Sequence, residues 1–166
     1  MSSSQVLLEI KNLTRRTRDG QILLKGIDWT IHASERWGVS GPTGAGKSLL
    51  LRCLSRLDVS EGDILWQGCS ISSAETPAYR SQVVYLAQSA AMIDGTVEDN
   101  LRLPLTLHQH HDIVFSDKSI KYWCDAFGKS PAFLKQKASD LSGGERQIVA
   151  LLRALVIEPS VLLLDE

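Results

Sequence analysis

The stretch GPTGAGKS at residues 41–48 combines three glycines with a terminal lysine and serine. This spacing matches G-x-x-x-x-G-K-[ST], in which the glycines let successive backbone N–H groups turn inward toward phosphate oxygens. In such a loop the lysine supplies a positive charge to the terminal phosphates, and the last hydroxyl is placed to bind Mg²⁺. The residues predicted to bind phosphate are Gly41, Pro42, Thr43, Gly44, Ala45, Gly46, Lys47 and Ser48. A glycine-rich turn that only caps a helix is the alternative, but it does not require the complete pattern.

A second glycine pair lies in LSGGE at residues 141–145, where an amphipathic helix is predicted to begin. Ser142 and Glu145 have the S-x-x-E spacing of a capping box, which is a purely structural explanation for both. That explanation does not cover Gly143 and Gly144, because glycine weakens a first helical turn unless another group must approach the backbone closely. A helix N-terminus favours anions, so a second phosphate group is the predicted ligand.

Two carboxylates, Asp165 and Glu166, follow the apolar run VLLL at residues 161–164. Open α/β sheets place ligands at the carboxyl ends of their strands, which makes this pair a candidate for phosphate chemistry. Asp165 is predicted to hold Mg²⁺, directly or through water, and Glu166 to orient or deprotonate an attacking water. The alternative is an ordinary acidic turn after a strand, which the pair taken alone does not exclude.

Hydrophobic periodicity and turn residues predict the elements that must position these motifs. The predicted strands cover residues 6–11, 22–24, 27–31, 36–40, 83–86 and 161–164, with a small hairpin at 64–71. The predicted helices cover about 47–57 and 143–157, and residues from about 95 to 140 are predicted to form a mostly helical insert. Strands that alternate with helices favour a largely parallel sheet, so the predicted fold class is α/β.

Composition restricts the classes of protein to which the chain can belong. It has 166 residues, 43% of them apolar and 22% charged, which suits one globular domain of about 150 residues. The formal net charge of −1 gives no global attraction to nucleic acid or anionic lipid. No apolar run approaches the roughly 18 residues of a membrane span, and the N-terminus lacks the pattern of a secretory signal. Three widely spaced cysteines without a CxxC pair favour a reducing cytosol.

Taken together and in this order, the three motifs resemble those of the ATP-binding cassette (ABC) family. GPTGAGKS resembles the Walker A motif of that family, LSGGE its signature motif, and VLLLDE its Walker B motif with the catalytic glutamate. Gln88, which follows VVYLA, resembles the glutamine of the family's Q-loop. The resemblance covers Val6 to Glu166, and YLAQ and GTVEDNL are similar to the ATP-binding subunits of small bacterial iron exporters.

The resemblance implies a single ABC nucleotide-binding domain over residues 1–166 with a P-loop NTPase core and a mainly parallel sheet. An N-terminal antiparallel β subdomain and a helical insert at about 95–140 complete the expected architecture. The implied activity is hydrolysis of ATP with Mg²⁺ as cofactor. The implied catalytic residues are Glu166, Lys47 and Gln88, and the implied Mg²⁺ ligands are Ser48, Gln88 and Asp165. The residues implied to contact ATP from a facing cassette are Leu141, Ser142, Gly143, Gly144 and Glu145.

The family's mechanism implies two protein partners and no nucleic acid. One partner is a second cassette, with a homodimer expected, and the other is a transmembrane permease subunit. The chain is therefore expected in the cytoplasm, peripheral on the cytoplasmic face of the inner membrane, as the ATPase subunit of a transporter. Its likeness to the iron-export subunits makes an iron-linked exporter the finer expectation. The alternatives are a soluble ABC ATPase acting on DNA or ribosomes, and a non-catalytic nucleotide-binding fragment. The compact spacing from Lys47 to Ser142, without sustained heptads, counts against chromosome-maintenance members.

The sequence departs from the family pattern at several places. Arg15 to Arg18 lie where members usually carry an aromatic residue that stacks on adenine, and an arginine plane is one substitute. Ile148 stands where an arginine is common. The family pattern continues beyond the Walker B glutamate, so the 166 residues are expected to be a C-terminally truncated domain with little ATPase activity in isolation. The segment HQHHD, with His108, His110 and His111, suggests either a metal site or a solvated loop.

Overall fold

The computed structural model describes residues 5–110 and 112–165. In chain order the strands and helices are β1 (Val6–Arg16), β2 (Ile22–His32), α1 (Lys47–Leu54), β3 (Glu61–Trp66), β4 (Cys69–Ser70), α2 (Thr76–Gln82), β5 (Val83–Leu86), α3 (Val97–Arg102), α4 (Asp117–Ala126), α5 (Gly143–Leu155) and β6 (Val161–Leu164). Short 3-10 turns occupy Leu103–Thr106, His108–His110, Pro131–Lys135 and Ala138–Asp140. The chain divides into two compact units, one reaching Tyr85 and including Asp165, the other formed by Leu86–Leu164.

The larger sheet belongs to the first unit and has the strand order β2-β1-β3-β4. β1 pairs antiparallel with β2 and with β3, so that Ile10 lies opposite Trp29 on one side and Ile64 on the other. Leu8 and Leu13 of β1 are fully buried, as expected for a central strand that packs its apolar face on a core. The predicted N-terminal antiparallel sheet is therefore confirmed, and β5 and β6 form a smaller parallel sheet.

Two strands predicted at 22–24 and 27–31 form the single strand β2. The interruption in the hydrophobic pattern is Gly26, which takes a left-handed φ of 57° inside the strand. Its N–H donates to the Thr14 hydroxyl at 3.0 Å, and the pairing of β1 with β2 shifts register on either side of Leu13. A bulge thus absorbs the irregularity, and the strand continues through a position that the pattern alone marks as a break.

The strand predicted at 36–40 is not formed in the described part of the chain, where no strand pairs with these residues. Trp37 is 58% exposed and packs edge-on against Trp29 at a centroid distance of 5.5 Å. Its indole N–H donates to Glu35 at 2.9 Å. A short apolar run becomes a strand only where a neighbour offers a hydrogen-bonding ladder, so the prediction from hydrophobicity was wrong here.

Helix α1 ends at Leu54, three residues before the predicted end at Leu57. Arg56 takes a left-handed φ of 54°, which turns the chain out of the helix. Tyr79 of α2, a helix that the sequence analysis did not predict, donates its hydroxyl to the Leu54 carbonyl. At the end of α1 a backbone carbonyl is thus bound by a residue 25 positions away.

The second unit is built on α3, α4 and α5, which share one apolar core. The buried members of this core are Val97, Leu101, Ile120, Cys124, Phe133, Leu141, Val149 and Leu152. Val149 and Leu152 lie three residues apart on α5, so one stripe of the helix faces the core. The predicted helix at 143–157 is confirmed with its end at Leu155, and 95–140 contains α3, α4 and 3-10 turns.

Cys53, Cys69 and Cys124 are free thiols, of which Cys53 and Cys124 are buried and Cys69 is exposed. No helix within residues 5–110 and 112–165 is both long and apolar enough to cross a membrane.

Candidate functional site

The loop at residues 41–46 has a backbone that only glycine adopts easily at two positions. Gly44 and Gly46 take left-handed φ values of 83° and 92°, and the Ala45 N–H donates to the Pro42 carbonyl at 3.1 Å. A Cβ on Gly46 would lie 2.8 Å from Cδ2 of Leu24 on β2. The left-handed φ at position 46 therefore favours glycine, and a Cβ there would in addition require the Leu24 side chain to shift.

Lys47 opens α1, and its ammonium group lies over the loop. Nζ donates to the carbonyl oxygens of Gly41 at 3.0 Å and Pro42 at 3.3 Å. The first-turn N–H groups of a helix point out along its axis and carry a partial positive charge. A cation and the N-terminus of a helix thus converge on the same loop, which is the electrostatic arrangement that binds a phosphate group.

Asp165 lies beside the start of α1 and accepts two hydroxyl hydrogen bonds. Ser48 Oγ donates to Oδ1 at 2.8 Å, and Tyr85 Oη donates to Oδ2 at 2.7 Å. The carboxylate is 9% exposed, so both bonds satisfy a buried charge. Burial raises the pKa of Tyr85 to about 12, and its bond to Asp165 acts in the same direction, so the phenol remains a neutral donor.

The oxygens of Ser48 and Asp165 suit Mg²⁺, which prefers hard oxygen ligands such as carboxylate and hydroxyl groups. Their separation of 2.8 Å shows that residues 117 positions apart in sequence meet at one point. These two side chains would hold the ion, which would neutralise negative charge on bound phosphates. The structure thus joins Ser48 to Asp165, two of the predicted site residues, next in sequence to Lys47, whose ammonium group lies on the loop.

Two further predicted residues are described apart from this group. Gln88 is exposed just after β5 and belongs to the second unit. Glu166, the predicted catalytic base, lies outside the described residues. Their assigned roles remain predictions.

The predicted capping box at the start of α5 is present. The Ser142 hydroxyl accepts from the Glu145 N–H at 3.3 Å, and Glu145 Oε2 accepts from the Ser142 N–H at 2.9 Å. Lys129 Nζ adds a bond of 2.9 Å to Oε1 of the same carboxylate. The Lys129 bond, followed by the bonds from Ser142, lowers the pKa of Glu145 to about 2. The capping box therefore accounts for Ser142 and Glu145.

The two glycines after Ser142 have no such internal explanation. A Cβ built on Gly143 or Gly144 meets no heavy atom within 4 Å, and neither residue has a left-handed φ. Their own fold would thus accept alanine at both positions. What glycine provides there is an uncovered backbone at a helix N-terminus, which suits the close approach of a group from outside the unit.

The segment that follows Gln88 is held by two residues that the sequence analysis missed. Asn100, fully buried on α3, accepts from the Ile93 N–H at 2.9 Å and donates to the Ile93 carbonyl at 3.1 Å. Arg153 of α5 donates to the Ala91 carbonyl at 2.8 Å. The role of Asn100 could have been suspected from the sequence, because it lies between apolar residues of one helix face and a buried amide must find hydrogen-bond partners.

Tyr85 was also missed as a site residue. From the sequence alone it counts only as part of the apolar strand before Gln88. A hydroxyl within an otherwise aliphatic strand was the available signal, although its partner 80 residues away could not be inferred from spacing.

The weaker candidates are partly accounted for. Arg16 pairs with Glu61 at 3.1 Å, and Arg15 donates to the Arg16 carbonyl, so both arginines have structural partners. His110 is buried in a 3-10 turn, and burial lowers its pKa, whereas His111 lies outside the described residues. Among the residues that the structure describes, no group of three or more His, Cys, Asp or Glu side chains is arranged to hold a metal ion.

Comparison with protein families gives one match over most of the chain: residues 24–166 match the family described as "ABC transporter". Similar curated proteins include Protein STAR1 of Oryza sativa subsp. japonica, 38% identical over 96% of this chain and 46% of that protein. The probable iron export ATP-binding protein FetA of Escherichia coli is 34% identical over 100% of this chain and 72% of its own length. The phosphonates import ATP-binding protein PhnC of Wolinella succinogenes is 34% identical over 96% of this chain and 62% of its length. The chain therefore spans about half to three quarters of these relatives.

A solved structure described as a bacterial Atm1-family ABC exporter with ATP bound is similar over the whole chain. Its TM-score is 0.80 with 25% sequence identity, and the match covers 100% of this chain and 31% of that one. The likeness supports the α/β P-loop architecture predicted from the motifs.

Proposed function

The chain belongs to the ABC transporter family, and from that membership we propose that it binds and hydrolyses Mg²⁺-ATP to drive a transporter. The observation that carries the proposal is the hydrogen bond of Ser48 to Asp165 at the end of a loop on which Lys47 places its ammonium group. Lys47 supplies the positive charge for the terminal phosphates, while Ser48 and Asp165 supply oxygens for the metal. Glu166 is assigned to the attacking water and Gln88 to the metal and the water, both on the basis of the resemblance.

The second partner of ATP is proposed to be the signature segment of a facing cassette. The exposed start of α5 supports this, because Gly143 and Gly144 leave the backbone open although the unit itself has no need of glycine there. A phosphate group of ATP bound by one copy would approach these N–H groups in the other. Two copies would then enclose two ATP molecules, and hydrolysis would release them from each other.

We assign a permease as the membrane partner and the cytoplasmic face of the inner membrane as the location. Both assignments follow from the family, in which the nucleotide-binding domain drives a membrane-spanning subunit. The segment between Gln88 and α3 supports a role in that contact, since Asn100 and Arg153 tie it to two helices of the second unit. A movement of either helix would displace this segment.

For the direction of transport and the transported solute, we propose to test export of iron first. The likeness to a protein named for probable iron export, of which the chain covers 72%, supports it. The name of the PhnC relative, a phosphonates import protein, supplies the competing direction. Deleting the gene that encodes this chain should raise cellular iron and sensitivity to added iron, measured by elemental analysis and growth. Unchanged iron with lost uptake of another solute would overturn this assignment of cargo.

The ATPase proposal itself is tested on the complete protein that carries this sequence. We expect phosphate release that requires Mg²⁺, stops with EDTA and increases when the permease is present. Nucleotide binding without turnover under all three conditions would favour a non-catalytic nucleotide-binding domain. Stimulation by DNA or ribosomes in place of a permease would favour a soluble ABC ATPase.

A further inference from the structure

We propose that Tyr85 is a positioning residue that fixes the Asp165 carboxylate in the orientation required to hold Mg²⁺. The inference deepens the proposed function and rests on it, because it concerns the metal of the Mg²⁺-ATP complex. Its basis is the pair of bonds at Asp165, in which Ser48 donates to Oδ1 at 2.8 Å and Tyr85 donates to Oδ2 at 2.7 Å.

The two bonds have different consequences for a metal site. Ser48 is itself an expected ligand, so its oxygen must become available to the ion. Tyr85 is not needed as a ligand, and its hydroxyl lies on the other carboxylate oxygen. The terminal torsion of an aspartate is broad, so one bond to Oδ1 does not fix the plane of the carboxylate. The second bond, from the strand β5, fixes it.

The arrangement has the features of an outer-shell interaction at a metal site. Carboxylates that bind metals are in turn hydrogen-bonded by neighbouring groups, and loss of such a group typically lowers metal affinity by about 10- to 100-fold. Tyr85 meets the geometric condition, since it contacts the carboxylate and is carried by a strand rather than by a loop. It also keeps a buried charge satisfied, because Asp165 is only 9% exposed.

Tyr85→Phe removes the hydroxyl and keeps the ring, so it isolates the bond to Asp165. The matched control is Tyr79→Phe in the same unit, which removes a buried hydroxyl whose partner is the Leu54 carbonyl. Both variants lose one hydrogen bond of a tyrosine, but only one of these bonds reaches Asp165. A purely structural role for Tyr85 would make the two variants alike in metal binding.

The measurement uses the complete protein, the non-hydrolysable analogue AMP-PNP, and Mn²⁺ followed by electron paramagnetic resonance. We expect Tyr85→Phe to bind AMP-PNP in EDTA within about twofold of wild type but to bind Mn²⁺ at least tenfold more weakly once the nucleotide is present. Tyr79→Phe should match wild type in Mn²⁺ affinity. p-Aminophenylalanine at position 85, which keeps a donor on the ring, should restore the affinity even if Tyr85→Phe folds poorly.

Equal Mn²⁺ affinity of Tyr85→Phe and wild type would overturn the positioning role while leaving the proposed function intact. The proposed function fails if the wild-type protein with AMP-PNP binds Mn²⁺ no more tightly than free AMP-PNP does. That result would remove the metal site itself, and it is distinguished from failure of the positioning role because it appears in the wild type.

Discussion

Lys47 has two neutral partners in this structure, the carbonyl oxygens of Gly41 and Pro42. Phosphate oxygens are stronger acceptors for an ammonium group because they carry charge. Lys47→Ala should therefore lower ATP affinity at least tenfold, about 1.4 kcal/mol, in an equilibrium titration. Alanine keeps the helix propensity at the start of α1, so the melting temperature should stay close to that of wild type.

The control for this change is Lys11→Ala. Lys11 is an exposed lysine of β1 that pairs with Glu9 at 3.0 Å, and removing it changes the net charge by the same amount. Its ATP affinity should remain that of wild type. Equal affinities for wild type and Lys47→Ala would exclude Lys47 from phosphate binding.

At the residue scale, a motif marks candidates by the spacing of their residue types. It marks Lys47 and Ser48 in this way, and the structure joins Ser48 to Asp165, while their roles toward ATP and Mg²⁺ stay predictions. Tyr85 and Asn100 were missed because their roles depend on partners that no local pattern specifies. Tyr85 finds Asp165 only after the chain has folded, and Asn100 closes a loop whose course is irregular.

At the scale of elements, we predict opposite effects on stability when Gly144 or Gly46 is replaced by alanine. Gly144→Ala places a Cβ in open space without backbone strain, so thermal stability should be unchanged or higher. ATP turnover should nevertheless fall, since the new Cβ would cover the backbone that a facing phosphate approaches. Gly46→Ala should lower stability by about 1–2 kcal/mol or more, because its φ of 92° is left-handed and its Cβ would clash with Leu24.

Thermal melting and phosphate release on the same two preparations separate these effects. Gly144→Ala with normal turnover would mean that the glycine pair has no part in the reaction. A stable Gly46→Ala variant would show that the loop can adopt another backbone conformation.

The start of α5 also predicts a pH dependence of stability. The pKa of Glu145 is lowered from an ordinary value of 4.5 to about 2 by its bonds to Lys129 and Ser142. The charged form is therefore favoured by folding, and its contribution is present above pH 4.5 and lost as pH falls toward 2. Glu145→Gln keeps a side chain able to complete the capping box but loses the ion pair.

Melting curves of wild type and Glu145→Gln between pH 7 and pH 2 test the direction of this pH dependence. Wild type should melt higher than Glu145→Gln at pH 7, and the difference should narrow continuously below about pH 4. A difference that stays constant with pH would show that the bond of Lys129 to the carboxylate does not contribute through its charge.

The elements differed in how well their sequence predicted them. α5 follows a hydrophobic period that matches its geometry and was predicted, whereas β1 and β3 were predicted only in part, at 6–11 and from Ile64, and the antiparallel sheet came from the family resemblance. The predicted break within β2 was wrong because Gly26 forms a bulge through which the strand continues. The predicted strand at 36–40 was wrong because, in the described part of the chain, no neighbouring strand forms backbone hydrogen bonds with it. α2 was missed because its seven residues include only one that is buried, Tyr79, so no stripe marks the helix.

At the scale of the whole molecule, the proposed mechanism requires two copies that close around ATP and reopen after hydrolysis. Glu166 is assigned to the water and not to ATP binding, so Glu166→Gln should separate the two steps. The amide keeps the size of the side chain and its hydrogen bonding but not the basic carboxylate. We expect turnover to fall to background while ATP affinity stays near wild type.

Because hydrolysis is what reopens the proposed dimer, Glu166→Gln should also accumulate as an ATP-bound dimer, measured by light scattering after size-exclusion chromatography. ADP should leave the same variant monomeric. Adding Gly144→Ala should lower the dimer fraction at a given ATP concentration, since the facing phosphate would meet the new Cβ. Turnover near wild type in Glu166→Gln would mean that another group activates the water. Loss of turnover without a dimer would instead indicate that hydrolysis takes place within one copy. It would contradict the proposal that the start of α5 in a facing copy contacts ATP.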